Sequence, residues 1–148
     1  MDNCPGDELS EPLWDTLTEY VRQIADLLEL RDWRFRIQRE PPEDGDCIAS
    51  LQTIDGRKVA ALRVRGDFWD QSGEESRHTI THELIHCHHA AAQDIIRLDT
   101  SKHLGQATYD VLHGAFSRQM EYAVDGLADA LAPHLPLPPW GEKADLPE

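Results

Sequence analysis

Apolar residues recur at helical spacing in three stretches of the 148-residue chain, which predicts three helices. The first begins at Ser10-Glu11-Pro12, where a capping serine precedes a proline in the first turn, and it runs to about Leu30. The second covers about residues 74–94 and the third about residues 106–132. Prolines from Pro133 onward end the third helix, because proline lacks the amide hydrogen that a helix needs.

Three strands are predicted between the first and second helices. Trp33, Phe35 and Ile37 alternate with polar residues, which is typical of a half-buried strand. Residues 47–53 and 58–65 flank the dipeptide Asp55-Gly56, a hairpin-turn signal. The order helix, three strands, helix, helix predicts an α+β domain with a small, mostly antiparallel sheet.

The chain has the length of one domain. We expect a flexible N-terminal tail at residues 1–8 and a single packed domain over residues 9–133. The proline-rich residues 134–148 are predicted to form a C-terminal tail.

The composition excludes several functions. The formal net charge is −14, which repels phosphate backbones and anionic membranes, so we expect neither nucleic acid nor membrane as a partner. No segment reaches the roughly 18 apolar residues of a membrane span. The first eight residues are acidic and contain no apolar run, so they do not resemble a secretory signal. The cysteines form no disulfide framework, so a cytoplasmic protein is predicted. The three cysteines are Cys4, Cys47 and Cys87. Composition does not indicate the oligomeric state.

The candidate chemistry lies in the second helix, where residues 82–86 spell His-Glu-Leu-Ile-His. One helical turn separates His82 from His86, so both imidazoles project from one face and can bind a single metal ion. Glu83 sits beside that face, where a carboxylate can take a proton from a metal-activated water. The alternative is a histidine-rich surface helix with an accidental match.

The surrounding helix separates an apolar stripe from a histidine stripe. Ile80, Leu84, Cys87 and Ala91 are predicted to face the core, which makes Cys87 a core residue rather than a nucleophile. His78, His88 and His89 are expected to be solvated, or to contact the metal ligands without binding the metal themselves.

A catalytic zinc site needs a third protein ligand. The downstream candidates are His103, His113, Glu121, Asp125 and His134. Glu121 is favoured, because it lies on a helical face with small neighbours that allows close approach to another helix. Asp125 follows one turn later and could hydrogen-bond a ligand histidine. The other side of this helix is predicted to pack into the core and carries Leu112, Phe116, Met120, Ala123, Leu127 and Leu131.

With these residues, the chain resembles a minimal gluzincin, a class of zinc metallopeptidase whose third ligand is a downstream glutamate. Residues 121–133 are similar to the alanine-rich, proline-closed helix of ImmA/IrrE-type peptidases of phages and bacteria. Those enzymes usually carry glycine where this chain has Ile85. The resemblance implies a zincin-like fold, a Zn²⁺ cofactor and a peptide or protein substrate.

The implied activity is peptide-bond hydrolysis, with Glu83 as general base and zinc on His82, His86 and Glu121. His113, Tyr109 and Tyr122 are the candidates for stabilising the transition state. The strand at residues 58–65 is expected to be the edge strand that pairs with substrate. The alternative is a non-catalytic zinc-binding module that binds a protein partner. The acidic surface of this chain would favour a partner with a basic surface. A fourth ligand such as His113 or Cys87 would close its zinc site.

Overall fold

The computed structural model describes residues 11–140, which form three helices and a three-stranded sheet. The helices are α1 (Glu11–Leu27), α2 (Gly73–Asp94) and α3 (Gln106–Leu131), and the strands are β1 (Arg34–Gln38), β2 (Ala49–Thr53) and β3 (Val59–Val64). The predicted α+β class is confirmed. The predicted tail at residues 1–8 and the capping role of Ser10 lie outside the described residues. Within residues 11–140, no helix is long and apolar enough to cross a membrane.

The sheet is mixed rather than mostly antiparallel, and its order is β1-β3-β2. β2 and β3 form the predicted antiparallel hairpin, whose turn uses Gly56 at a φ of 66°. β1, in contrast, runs parallel to β3, with the Arg34 amide donating to the Lys58 carbonyl at 2.9 Å. β3 is therefore the central strand, so the prediction that it forms the substrate-pairing edge is wrong. The free edge next to α2 belongs to β2.

The main core lies where α1 and α2 cover one face of the sheet. Alternate residues of β3 point into it, as period-two alternation requires. Ile80, Leu84 and Cys87 of α2 are buried there as predicted, but Ala91 is exposed and Ala90 takes its place. The other buried members of the core include Leu17, Ile24, Leu30, Ala60, Leu62 and Phe68.

Helix α3 packs on α2 and leaves much of its apolar surface in solvent. Met120, Val124 and Ala128 are buried against Ile85 of α2. The predicted core face is wrong for most of its members, since Leu112, Ala123, Leu127 and Leu131 are exposed. The reason is geometric: α3 contacts the body chiefly through one neighbouring helix, so only a narrow strip of its circumference is covered.

The packed domain extends past Pro133, where the sequence predicted a tail. The Tyr20 hydroxyl donates to the Pro136 carbonyl at 2.8 Å, and Arg77 donates to the Leu135 carbonyl at 3.0 Å. Trp140 packs edge-on against Tyr20 and Trp69, with ring centroids 5.2 and 5.4 Å apart. Residues 135–140 thus belong to the domain, because their aromatic and carbonyl groups find partners on α1 and α2.

Replacing Trp140 with alanine should therefore destabilise the whole domain. The change removes three aromatic contacts, with Tyr20, Phe68 and Trp69, and the indole hydrogen bond to Ser76, so we expect a loss of about 2–3 kcal/mol in the free energy of unfolding. Urea unfolding measures it. Leu137→Ala is the matched control in the same segment, because Leu137 is exposed and its loss should cost little. Equal stability of the two variants would contradict the packing described here.

Candidate metal centre

A capping box sets the start of α2 and hence the angular position of its histidines. The Ser72 hydroxyl accepts from the Glu75 amide at 3.2 Å, and the Glu75 carboxylate accepts from the Ser72 amide at 2.9 Å. Two of the amides that a helix start leaves unpaired are satisfied in this way. From that start, the helical repeat places His78, His82 and His86 on one face, towards α3.

His82, His86 and Glu121 converge between α2 and α3, and they form a group that could hold a metal ion. The Nε2 atom of His82 lies 3.4 Å from Glu121 Oε2, and the Nε2 atom of His86 lies 3.1 Å from Glu121 Oε1. Ligands on a tetrahedral ion with bonds of about 2.0–2.1 Å stand about 3.3 Å apart, so the spacing fits such an ion. Two imidazoles and one carboxylate are also a known donor set of catalytic zinc sites.

Asp125 contacts the other ring nitrogen of His82, the position from which a carboxylate orients a ligand. Its Oδ1 atom lies 2.9 Å from His82 Nδ1. A proton on Nδ1 satisfies that contact and leaves the Nε2 lone pair free for a metal. One turn further towards the start of α2, His78 Nε2 lies 2.7 Å from Asp129 Oδ1. His78 therefore pairs with a carboxylate outside the three-residue group.

Glu83 lies in the same cleft, in surroundings that disfavour its charge. Burial and then repulsion from Glu121 raise its pKa from 4.5 to about 8, although a hydrogen bond from the Leu51 amide opposes the shift. Burial also lowers the pKa of His86, against the opposing effect of Glu121, and so favours the neutral imidazole. Neutral imidazole is the form that binds metal. Without a cation, burial thus favours the neutral form of His86 and the protonated form of Glu83.

The cleft above the three residues has a volume of about 390 Å³, and β2 forms one wall. The Ile54 amide donates to the Val59 carbonyl and the Arg65 amide to the Ile48 carbonyl, so even-numbered residues of β2 bond to β3. Ala49, Leu51 and Thr53 consequently turn their amides and carbonyls away from the sheet. Their free edge lies beside His82, Glu83 and His86.

The remaining predicted site residues lie away from this cleft. His113 lines a separate cavity with Gln93, Arg97, Phe116 and Ser117, and its ring stacks on Tyr109 at 5.5 Å between centroids. Tyr122 is 69% exposed. Neither the two tyrosines nor His113 lines the cleft, so the structure does not bring the predicted transition-state groups to the metal group. His103 and His134 are exposed, and Cys87 is buried in the main core.

Three features of the cleft were missed from the sequence. Cys47 and Gln93 line the cleft, and β2 rather than β3 supplies its strand edge. Burial and the neighbouring Asp44 carboxylate raise the pKa of the Cys47 thiol, which keeps it protonated. No local signal marks these residues, because their position follows from strand order.

Searches against protein-family models, curated proteins and solved structures found no match to this chain.

The metal group predicts which variants lose the ion. His86→Ala and Glu121→Ala should each abolish stoichiometric zinc binding, because each removes one of three convergent donors. Asp125→Asn should weaken zinc affinity about 10–100-fold, as expected for a group that orients a ligand. Elemental analysis after dialysis, with competitive titration against a chelator, measures both effects.

His78→Ala is the matched control for these variants. It removes a histidine from the same face of α2, but that histidine pairs with Asp129 and is not among the convergent donors. It should retain wild-type zinc content. Full zinc in Glu121→Ala, or loss in His78→Ala equal to that in His86→Ala, would contradict the assigned donor set.

The raised pKa of Glu83 makes a second prediction, for the metal-free protein. The folded state holds this proton more tightly than the unfolded chain does, so folding stability falls as pH rises from about 4.5 to about 8. Glu83→Gln removes that titration. In the presence of chelator it should be more stable than wild type by roughly 1–3 kcal/mol at pH 8.5, with the difference shrinking towards pH 5.

Urea unfolding at both pH values gives the two differences. His86 titrates in both proteins, so its contribution largely cancels in the difference between their free energies of unfolding. For this reason the variant is compared with wild type at each pH. A stability difference that does not change between pH 5 and pH 8.5 would show that Glu83 ionises normally.

Proposed function

We propose that this protein is a zinc-dependent peptidase. The observation that carries the proposal is the convergence of His82, His86 and Glu121 at the base of a cleft that also contains Glu83 and a free strand edge. A donor set without a cleft would suit a structural ion. A cleft with a buried carboxylate and a strand edge that no second strand pairs with suits a reaction on an extended chain.

Zinc bound to the three donors would supply a Lewis acid that activates water and polarises a peptide carbonyl. Glu83 has the position of the general base. Its carboxylate lies in the cleft beside the donors, and a nearby cation would favour the charged form that burial disfavours. Glu83 then accepts the proton of the attacking water and delivers it to the leaving nitrogen.

The free edge of β2 is the proposed binding surface for substrate. An extended peptide alongside Ala49, Leu51 and Thr53 would use their outward amides and carbonyls as the rungs of an added strand. Backbone hydrogen bonds fix the position of the scissile bond without selecting a side-chain sequence. Leu51, whose backbone opposes the raised pKa of Glu83, lies at the middle of that edge.

The resemblance to gluzincins, and to ImmA/IrrE-type peptidases within them, is consistent with this proposal. Glu121 and Asp125 lie one turn apart on a helix that faces the histidine pair, and Asp125 contacts His82. The open cleft also favours an enzyme over the zinc-binding module. His113 and Cys87, the residues that could have closed the ion's coordination, lie elsewhere.

Glu83→Gln should separate metal binding from catalysis. It keeps the size of the side chain and all three donors but removes the base, so we expect full zinc content and at least a 100-fold loss of turnover. Release of new termini from a mixed library of unstructured peptides, read by mass spectrometry, gives the activity. Zinc-loaded wild type and Asp129→Asn, a change outside the cleft, are the active controls.

Equal turnover in Glu83→Gln and wild type would refute the assigned base. Stoichiometric zinc in wild type with no cleavage of any library member would instead favour the zinc-binding module. The two outcomes are distinguishable, because metal content and cleavage are measured on the same samples.

A further inference from the structure

The outer face of α3 carries apolar side chains that no part of residues 11–140 covers completely. Leu112, Leu127 and Leu131 are 37%, 43% and 40% exposed, and Ala123 between them is also exposed. Phe116 and Met120 lie at the margin of this face and connect it to the small core around Ile85 and Val124. We call these six α3 residues, 112, 116, 120, 123, 127 and 131, the outer stripe.

Charge is segregated away from the outer stripe. Helix α3 carries five charged residues, which at 100° per residue fall within roughly 100° of the helix circumference, on the side opposite the stripe. They are Asp110, Arg118, Glu121, Asp125 and Asp129. The positions beside the stripe are small or uncharged, including Ala115, Gln119, Gly126 and Ala130.

The spacing of the outer stripe is the same in both chain directions. Its steps are four, four, three, four and four residues, so a reversed copy matches the original position by position. In an antiparallel pair related by a two-fold axis, Leu112 faces Leu131 of the second copy and Phe116 faces Leu127. Near the axis, Ala123 faces the margin of the stripe, where Met120 is buried against Ile85 of its own chain. Such self-complementarity is what an isologous interface requires.

We propose that two copies of this chain associate through the outer stripes of their α3 helices, packed antiparallel about a two-fold axis near residues 121–122. The strong negative charge opposes association in general, yet this arrangement keeps the acidic residues of both α3 helices on the far sides of the pair. The contact spans about 20 residues, or about 30 Å of helix. That is small for a stable dimer, so the dissociation constant should be micromolar, roughly 1–100 µM.

Sedimentation equilibrium of the full chain tests the proposal. Wild type should form a concentration-dependent dimer, and the double variant Leu127→Glu, Leu131→Glu should remain monomeric at about 500 µM. Both side chains are substantially exposed, so the fold should survive, as circular dichroism would verify. Val111→Glu is the matched control. It introduces glutamate, one added charge against two, at a residue of α3 that is 74% exposed but lies off the stripe, and it should dimerise like wild type.

Cross-linking tests the register. In a background in which Cys4 and Cys47 are serine, Ala123→Cys should form a disulfide-linked dimer on mild oxidation. Residue 123 of one copy and residue 123 of the other are offset by only about 4.5 Å along the helix axis. Leu112→Cys should not, since its copies lie about 28 Å apart. The background protein itself should remain uncross-linked, because Cys87 is buried.

Several outcomes would overturn the proposal. They are wild type that stays monomeric at about 500 µM, dissociation by Val111→Glu as well as by the stripe variant, and equal cross-linking at positions 112 and 123. Dimerisation that appears only after residues 141–148 are deleted would also overturn it, because the chain's own C-terminal segment would then cover the stripe. None of these measurements depends on metal or on peptidase activity.

Discussion

The antiparallel packing of α3 on α2 in one fixed register is the constraint on which the site depends. Each step of four residues along α2 is matched by a step of four back along α3. The three resulting pairs are His78 with Asp129, His82 with Asp125, and His86 with Glu121. A shift of α3 by a single residue would rotate the carboxylates away from every histidine at once, because successive residues lie 100° apart on a helix. The apolar contacts of Met120, Val124 and Ala128 with Ile85 fix that register from the other side of the interface.

The same packing explains the electrostatics of the centre. Glu121 and Asp125 are exposed, so their contacts with the histidines contribute little to stability on their own. Glu83, in contrast, points into the cleft between α2 and β2, where repulsion from Glu121 adds to the cost of burial. The metal-free centre therefore has more acidic than basic side chains, because Glu83, Glu121 and Asp125 surround the two histidines. A divalent cation would compensate this imbalance, and its binding would add to the free energy of folding.

Helix positions and the donor set could be predicted from local sequence, whereas the cleft could not. The spacing of His82 and His86 is a local property of a helix, and small residues around Glu121 indicated the face that approaches α2. Strand order, however, depends on how the segment at residues 39–48 crosses the sheet, which no residue in it specifies. The error at Leu127 and Leu131 has a similar origin. An apolar stripe shows that a face is suited to burial, but not whether the same chain supplies the surface that buries it.

Helix α3 thus has two opposed faces, one with the carboxylates and one with the outer stripe, and few contacts besides those with α2 hold it in place. A partner that binds the outer stripe only when α3 is docked on α2 would stabilise the docked state. By linkage, the same partner would raise the affinity of the centre for a cation. The converse would also hold, since a cation shared by His82, His86 and Glu121 would tie α3 to α2 and so favour the docked position of the stripe. The size of the coupling is limited by the free energy of docking α3. Because only Met120, Val124 and Ala128 of this helix are buried, that free energy is small enough for either event to change it appreciably.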